Sequence, residues 1–308
     1  MYFPVLRGKM YEMLALRDLA GQLGADDSIM PVVEPLGAHG SYELTVKELV
    51  DNSTSFCLIT NPRFGALRGR TVGETYADLV DGTLDEYDLF VPTLYIDRDS
   101  TSQEITEFAA QYEDRRAVFV TQGASKEHVE EAAALNPEFA LIREGQVPVA
   151  LRNLFPREIR VQITDPFNRQ ARNQDYPDDE FFSDRHLVIP DDAFEHFGDY
   201  SIVGESTESG FAPYCIALHH CYINSGENDA IYIRHYKSDT NETQDDQAGK
   251  FAEAVAKLVS DIRPLGPRNR TLATAEYQRY HQEGHYPGLG VPKRLGISQH
   301  LEIMMRLI

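Results

Sequence analysis

Charged and hydrogen-bonding side chains recur in this sequence directly behind short apolar runs. Arg7 and Lys9 follow Phe3–Leu6, Glu34 follows Met30–Val33, and Asn61 with Arg63 follow Phe56–Thr60. Tyr95 with Asp97 close the run Leu89–Ile96, and Gln122 follows Ala117–Thr121. Arg143 with Glu144, then Asp165, then Glu205 stand behind Phe139–Ile142, Ile159–Ile163 and Tyr200–Val203. Gathered on one rim, Arg7, Lys9, Asn61, Arg63, Tyr95 and Arg143 would bind a phosphorylated or otherwise anionic ligand. Glu34, Asp165 and Glu205 would then serve as catalytic bases or metal ligands. The same residues have plainer uses. Arg7, Lys9 and Glu34 could stitch strand ends together as ion pairs. Asn61-Pro62 and Asp165-Pro166 have the form of turns, in which the side chain accepts backbone N–H groups.

Other clusters carry weaker signals. His219 and His220 are adjacent, so on a strand they face opposite sides and cannot chelate one ion together. Either could meet His235, but spacing offers no third or fourth metal ligand, so no metal is assigned and no cofactor is indicated. The run Asp178, Asp179, Glu180 and Asp184 reads as a solvated loop rather than a metal cluster. His281 and His285 are spaced for one helix face, but Gly284 and Pro287 end the helix there. Cys57, Cys215 and Cys221 lack metal-type clustering and read as buried free thiols.

The elements that must position the rim are the apolar runs themselves. Most are apolar on both faces, as parallel strands covered by helices should be. Between them lie segments such as Ile105, Phe108, Ala109 and Tyr112 behind Ser102, and Val129, Ala132 and Ala133 behind Ser125. Eight such units predict an α/β fold, a (β/α)8 TIM-like barrel over residues 1–262. An open doubly wound sheet is the alternative, but Leu6-Arg7-Gly8-Lys9-Met10 lacks the Gly-rich first turn of a dinucleotide site. Residues 168–186 read as a long loop inserted after the seventh strand. Residues 212–238 read as a β-hairpin, Ala212–Asn224 with Ala230–Ser238, inserted in the last βα loop. The final helix is expected over Thr243–Ile262, capped by Thr243, and a tail with short helices over 263–308, including Ser298–Leu307.

Against 29 basic residues stand 49 acidic ones, a formal net charge of −20. Such a balance disfavours a broad nucleic-acid-binding surface and leaves an acidic nucleic-acid decoy as a minor reading. Met1 to Arg7 does not read as a secretory signal and no apolar run is long enough to span a bilayer, so the cytoplasm is the expected compartment.

The opening Tyr2-Phe3-Pro4-Val5-Leu6-Arg7-Gly8-Lys9, followed by Pro31-Val32-Val33-Glu34-Pro35, resembles the Beta family of bacterial and satellite-phage proteins. Asn61-Pro62 and Phe197-Gly198-Asp199-Tyr200 extend the likeness, in order, over roughly the first 210 residues. The resemblance implies a role in antiphage defence beside a protein partner from the same locus, with a nuclease as the candidate. It assigns no catalytic residues. Near the C-terminus the chain departs from the family pattern, which is richer there in Trp and His; this chain has no Trp, and past His285 it has only His300. Two functions therefore stand at this stage: a binding or regulatory subunit of a defence complex, and a metal-assisted phosphoesterase or nucleotide-processing enzyme using the rim carboxylates.

Overall fold

A computed structural model of the chain describes residues 1–38, 40–206 and 213–308. Contacts divide it into two compact units, Met1–Thr164 with Val188–Asp199, and Asp165–Leu187 with Tyr200–Ile308.

The first unit is a closed barrel of eight parallel strands. They are β1 (Tyr2–Leu6), β2 (Val32–Val33), β3 (Phe56–Ile59), β4 (Phe90–Ile96), β5 (Ala117–Val120), β6 (Phe139–Arg143) and β7 (Arg160–Thr164). After an excursion containing β8 (Asp179–Ser183), β9 (His196–Asp199) completes the ring by pairing with both β7 and β1. Seven of the eight expected runs are strands at nearly the expected bounds. The eighth is corrected. Tyr200–Val203 is rich in β-formers, yet Ser201 takes a left-handed φ of +51° and residues Ser201–Val203 form a 3-10 turn. The strand is the less apolar His196–Asp199 just before it.

Helices alternate with the strands as the (β/α)8 pattern requires. Ser125 caps Lys126–Ala134 by accepting from the His128 N–H, as expected. The cap of Ser102–Gln111 is Thr101 instead, one residue earlier, and it accepts from the Glu104 N–H.

The second unit is built on a three-stranded sheet in the order β10 (Ala217–Asn224), β11 (Ala230–Lys237), β8. The expected hairpin is therefore present, with Leu218 opposite Tyr236 and His219 opposite His235. Its first expected residue, Ala212, lies outside the described residues. The segment 168–186 is not only a loop, since β8 pairs antiparallel with β11. Polarity hid it: Asp179 pairs with Arg234 and Asp178 with Lys237, partners 55 and 59 residues away in sequence. Helix Gln247–Ile262 starts behind Asp246, which accepts from the Gly249 N–H, rather than at Thr243. It packs on β11 and on helix Leu272–Glu283, which in turn packs on helix Gly290–Met304. Phe251, Val255, Leu258, Tyr277 and Leu295 join Leu218 and Tyr236 in one buried core. Burying side chains of this size stabilises by about 1.5–3 kcal/mol each. The helix ending at Ile262 and the helices after it thus share a core, so the compact units do not divide at 262/263. No helix among the described residues is long and apolar enough to cross a membrane.

Candidate functional site

The register carries one sheet face around the barrel. Val5 lies beside Val32, Val32 beside Cys57 and Cys57 beside Val91. Further round, Ala117 lies beside Thr93 and Phe139, Leu141 beside Val161, and Val161 beside His196. This face points inward: Phe3, two residues before Val5, meets Phe139 across non-adjacent strands with ring centroids 5.0 Å apart. Because side chains alternate along a strand, Arg7, Glu34, Asn61, Tyr95 and Arg143 take the inward parity at the carboxyl ends of their strands. Five of the expected ligand or catalytic residues thus share one face of one end.

Their contacts are mostly with each other. Glu34, buried, accepts from Arg7 Nε at 3.3 Å through Oε2 and from the Arg63 backbone N–H at 3.1 Å through Oε1. Burial raises its pKa above the ordinary carboxylate value, more than the adjacent Arg7 and Arg63 lower it. The Arg7 backbone N–H is itself held by Glu12 Oε2 at 2.6 Å, and the Arg7 guanidinium sits 4.9 Å from the Phe64 ring centre. Two glycines let these loops close. Gly8 (φ +51°) and Gly65 (φ +74°) lie so near the 34–36 backbone that a Cβ on Gly65 would come within 2.3 Å of Leu36 O.

Arg63, expected to bind a ligand, instead brackets the ends of β3 and β4. It donates to Asp97 Oδ2 at 3.2 Å, to both Glu104 oxygens at 2.9 and 3.0 Å, to Ser100 Oγ at 2.8 Å and to Tyr95 O at 3.2 Å. Asn61 is equally engaged: its Nδ2 donates to Tyr95 O at 3.0 Å and its Oδ1 accepts the Tyr95 N–H at 2.7 Å. Glu104 and Ser100 were not legible as partners, since they sit on the helix and loop after β4. Lys9 precedes helix Met10–Leu23, and its carbonyl takes the N–H groups of Glu12 and Met13. Arg143 reaches the carbonyls of Glu144 and Ile163, each at 3.3 Å, and lines a depression of about 390 Å³ with Gln146, Arg152 and Phe194.

Asp165 and Glu205 belong to the second unit. There Asp165 Oδ2 accepts the Glu205 backbone N–H at 2.9 Å, which is the turn-holding use of an aspartate.

The second unit also holds a cluster that spacing did not single out as a whole. Leu218 and Tyr236 face the helical core, so His219 and His235 lie on the opposite sheet face. Their Nδ1 atoms are 2.7 Å apart, and His235 Nε2 is 3.0 Å from Glu180 Oε1. Asn168 Nδ2 donates to the other Glu180 oxygen at 3.2 Å. Tyr176 packs against both imidazoles, with centroids 4.7 and 4.6 Å away, and Phe167 lies edge-on to His219 at 5.1 Å. Burial, with His235 alongside, pushes His219 down to about 3. Burial also lowers His235, against the pull of Glu180. Among the described residues no group of three His, Cys, Asp or Glu side chains is placed to hold a metal ion.

Set against known proteins, the chain matches no family model, no curated protein and no solved structure.

Proposed function

We propose that this protein is a binding or regulatory subunit of a bacterial antiphage-defence complex, with the barrel as its scaffold. The defence setting, and a partner from the same locus with a nuclease as the candidate, rest on the resemblance of the sequence to the Beta family. The subunit role rests on one geometric observation. Glu34, the inward carboxylate at the strand ends, engages Arg7 through one oxygen and the Arg63 backbone through the other. A carboxylate so occupied is part of a structural bracket, and Asp165 likewise holds a backbone N–H. Both speak against the metal-assisted phosphoesterase reading that would use these residues as bases or ligands.

The test is to express the chain with its neighbouring genes and measure phage plating, alongside the mass of the complex carrying the tagged chain. Protection lost on deleting this chain, with a defined complex of fixed stoichiometry, supports the reading. Phosphodiester hydrolysis by the purified chain with Mg²⁺ or Mn²⁺, abolished in Asp165→Asn and in Glu34→Gln while both still fold, would overturn it.

A further inference from the structure

Three hydrogen-bonding groups in the second unit form a line: Glu180, His235 and His219. A carboxylate can only accept, so the 3.0 Å contact makes His235 Nε2 the donor to Glu180. A neutral imidazole with its proton on Nε2 carries a lone pair on Nδ1. The 2.7 Å contact to His219 must therefore be donated by His219 Nδ1. That leaves the lone pair of His219 on Nε2, and no described residue donates a hydrogen bond to it. The orientation is fixed from outside as well. Asn168 ties down the second oxygen of Glu180, and Tyr176 and Phe167 wall the two rings. His235 is buried while His219 is partly exposed, so the line runs from an enclosed carboxylate–imidazole pair to an imidazole at the margin of the core.

We propose that His219 Nε2 is the proton acceptor of an acid–base site in this unit, with His235 and Glu180 as its positioning residues. As His219 Nε2 takes a proton from water or a substrate hydroxyl, the O–H bond breaks, the oxygen keeps the electron pair with which it attacks, and His219 becomes an imidazolium. Its Nδ1 proton stays hydrogen-bonded to His235 Nδ1, and the Glu180 carboxylate on His235 Nε2 offsets the positive charge without itself taking the proton. The substrate is neutral or cationic, since the chain as a whole carries a net charge of −20 and repels anions. The proposal does not depend on the role assigned to the barrel.

Two measurements on the full chain test it. Long-range ¹H–¹⁵N correlation spectra of the wild type at pH 7 should show His219 protonated at Nδ1 and bare at Nε2, with His235 of the opposite tautomer. Diethyl pyrocarbonate, a neutral acyl donor that reports an available imidazole lone pair, should label His219. Glu180→Gln keeps an acceptor but removes the charge, and should slow that labelling about tenfold, the low end of what losing the carboxylate behind a metal-bound histidine costs. His219 bearing its proton on Nε2 would overturn the proposal, as would labelling at an unchanged rate in a folded Glu180→Gln. Should that variant not fold, the wild-type tautomers decide alone.

Discussion

Asn61 and Tyr95 exchange two hydrogen bonds, 3.0 and 2.7 Å long, so that one side-chain amide continues the β3–β4 ladder past the last backbone pair. An amide presents a donor and an acceptor in the same geometry as a peptide unit, and asparagine carries one on a shorter stem than glutamine. Replacing Asn61 by Ala removes both partners and leaves the Tyr95 N–H buried. The expected loss is about 2–4 kcal/mol, at ~1 kcal/mol per bond plus the desolvation of the orphaned group. Urea denaturation would read it. A loss below about 0.5 kcal/mol would show that the ladder holds without the side chain.

The Arg7–Glu34 pair predicts a pH dependence of defined sign. The folded-state pKa of Glu34 lies above its ordinary value of 4.5, so between the two the folded state binds more protons than the unfolded chain. Its contribution to stability is therefore largest at low pH and declines as pH rises through the folded pKa. Comparing wild type with Glu34→Gln from pH 4 to 8 should show wild type losing ground as pH rises. Glu34→Ala, which removes the counter-charge from buried Arg7, should cost about 3–5 kcal/mol.

Gly65 and Gly69 both have left-handed φ angles, +74° and +76°, but only Gly65 faces main chain. Ala at Gly69 meets open space and should cost about 1 kcal/mol, the conformational penalty alone. Ala at Gly65 must also displace the Leu36 backbone, so its loss should be larger by at least about 1–3 kcal/mol. Equal melting temperatures for the two variants would contradict the close packing of these loops.

His220 is buried, and neither ring nitrogen has a hydrogen-bond partner among the described residues. Burial, aided by nearby Arg234, lowers its pKa from 6.5 to about 4. The unfolded chain binds the proton more readily, so this contribution is complete above pH 6.5 and is lost as pH falls toward 4. The change between pH 7 and pH 5 is on the order of 2 kcal/mol. His220→Phe should flatten the acid limb of the stability profile, measured by denaturant midpoints at the two pH values. An unchanged acid limb would place the sensitivity elsewhere.

The sequence determined the barrel, because it is written in a local code. Strands such as Phe56–Ile59 and Ala117–Val120 are apolar on both faces, and the intervals between them fit one helix each. It also determined that Arg7, Glu34, Asn61, Tyr95 and Arg143 stand at or just past the carboxyl ends of strands, which fixes the end of the barrel they occupy. Tertiary structure alone decided what these residues do. Glu34 and Arg63 are 29 residues apart, and Arg63 and Glu104 are 41 apart, so their pairing depends on loop paths closed by Gly8 and Gly65. β8 was invisible for the same reason: an acidic segment becomes a strand only when Arg234, His235 and Lys237 arrive beside it. Tyr200–Val203 failed in the other direction. Its β-forming side chains describe a strand, but a single left-handed residue, Ser201, turns the chain out of the sheet. Propensity is a property of neighbours in sequence; charge pairing and chain reversal are settled by neighbours in space.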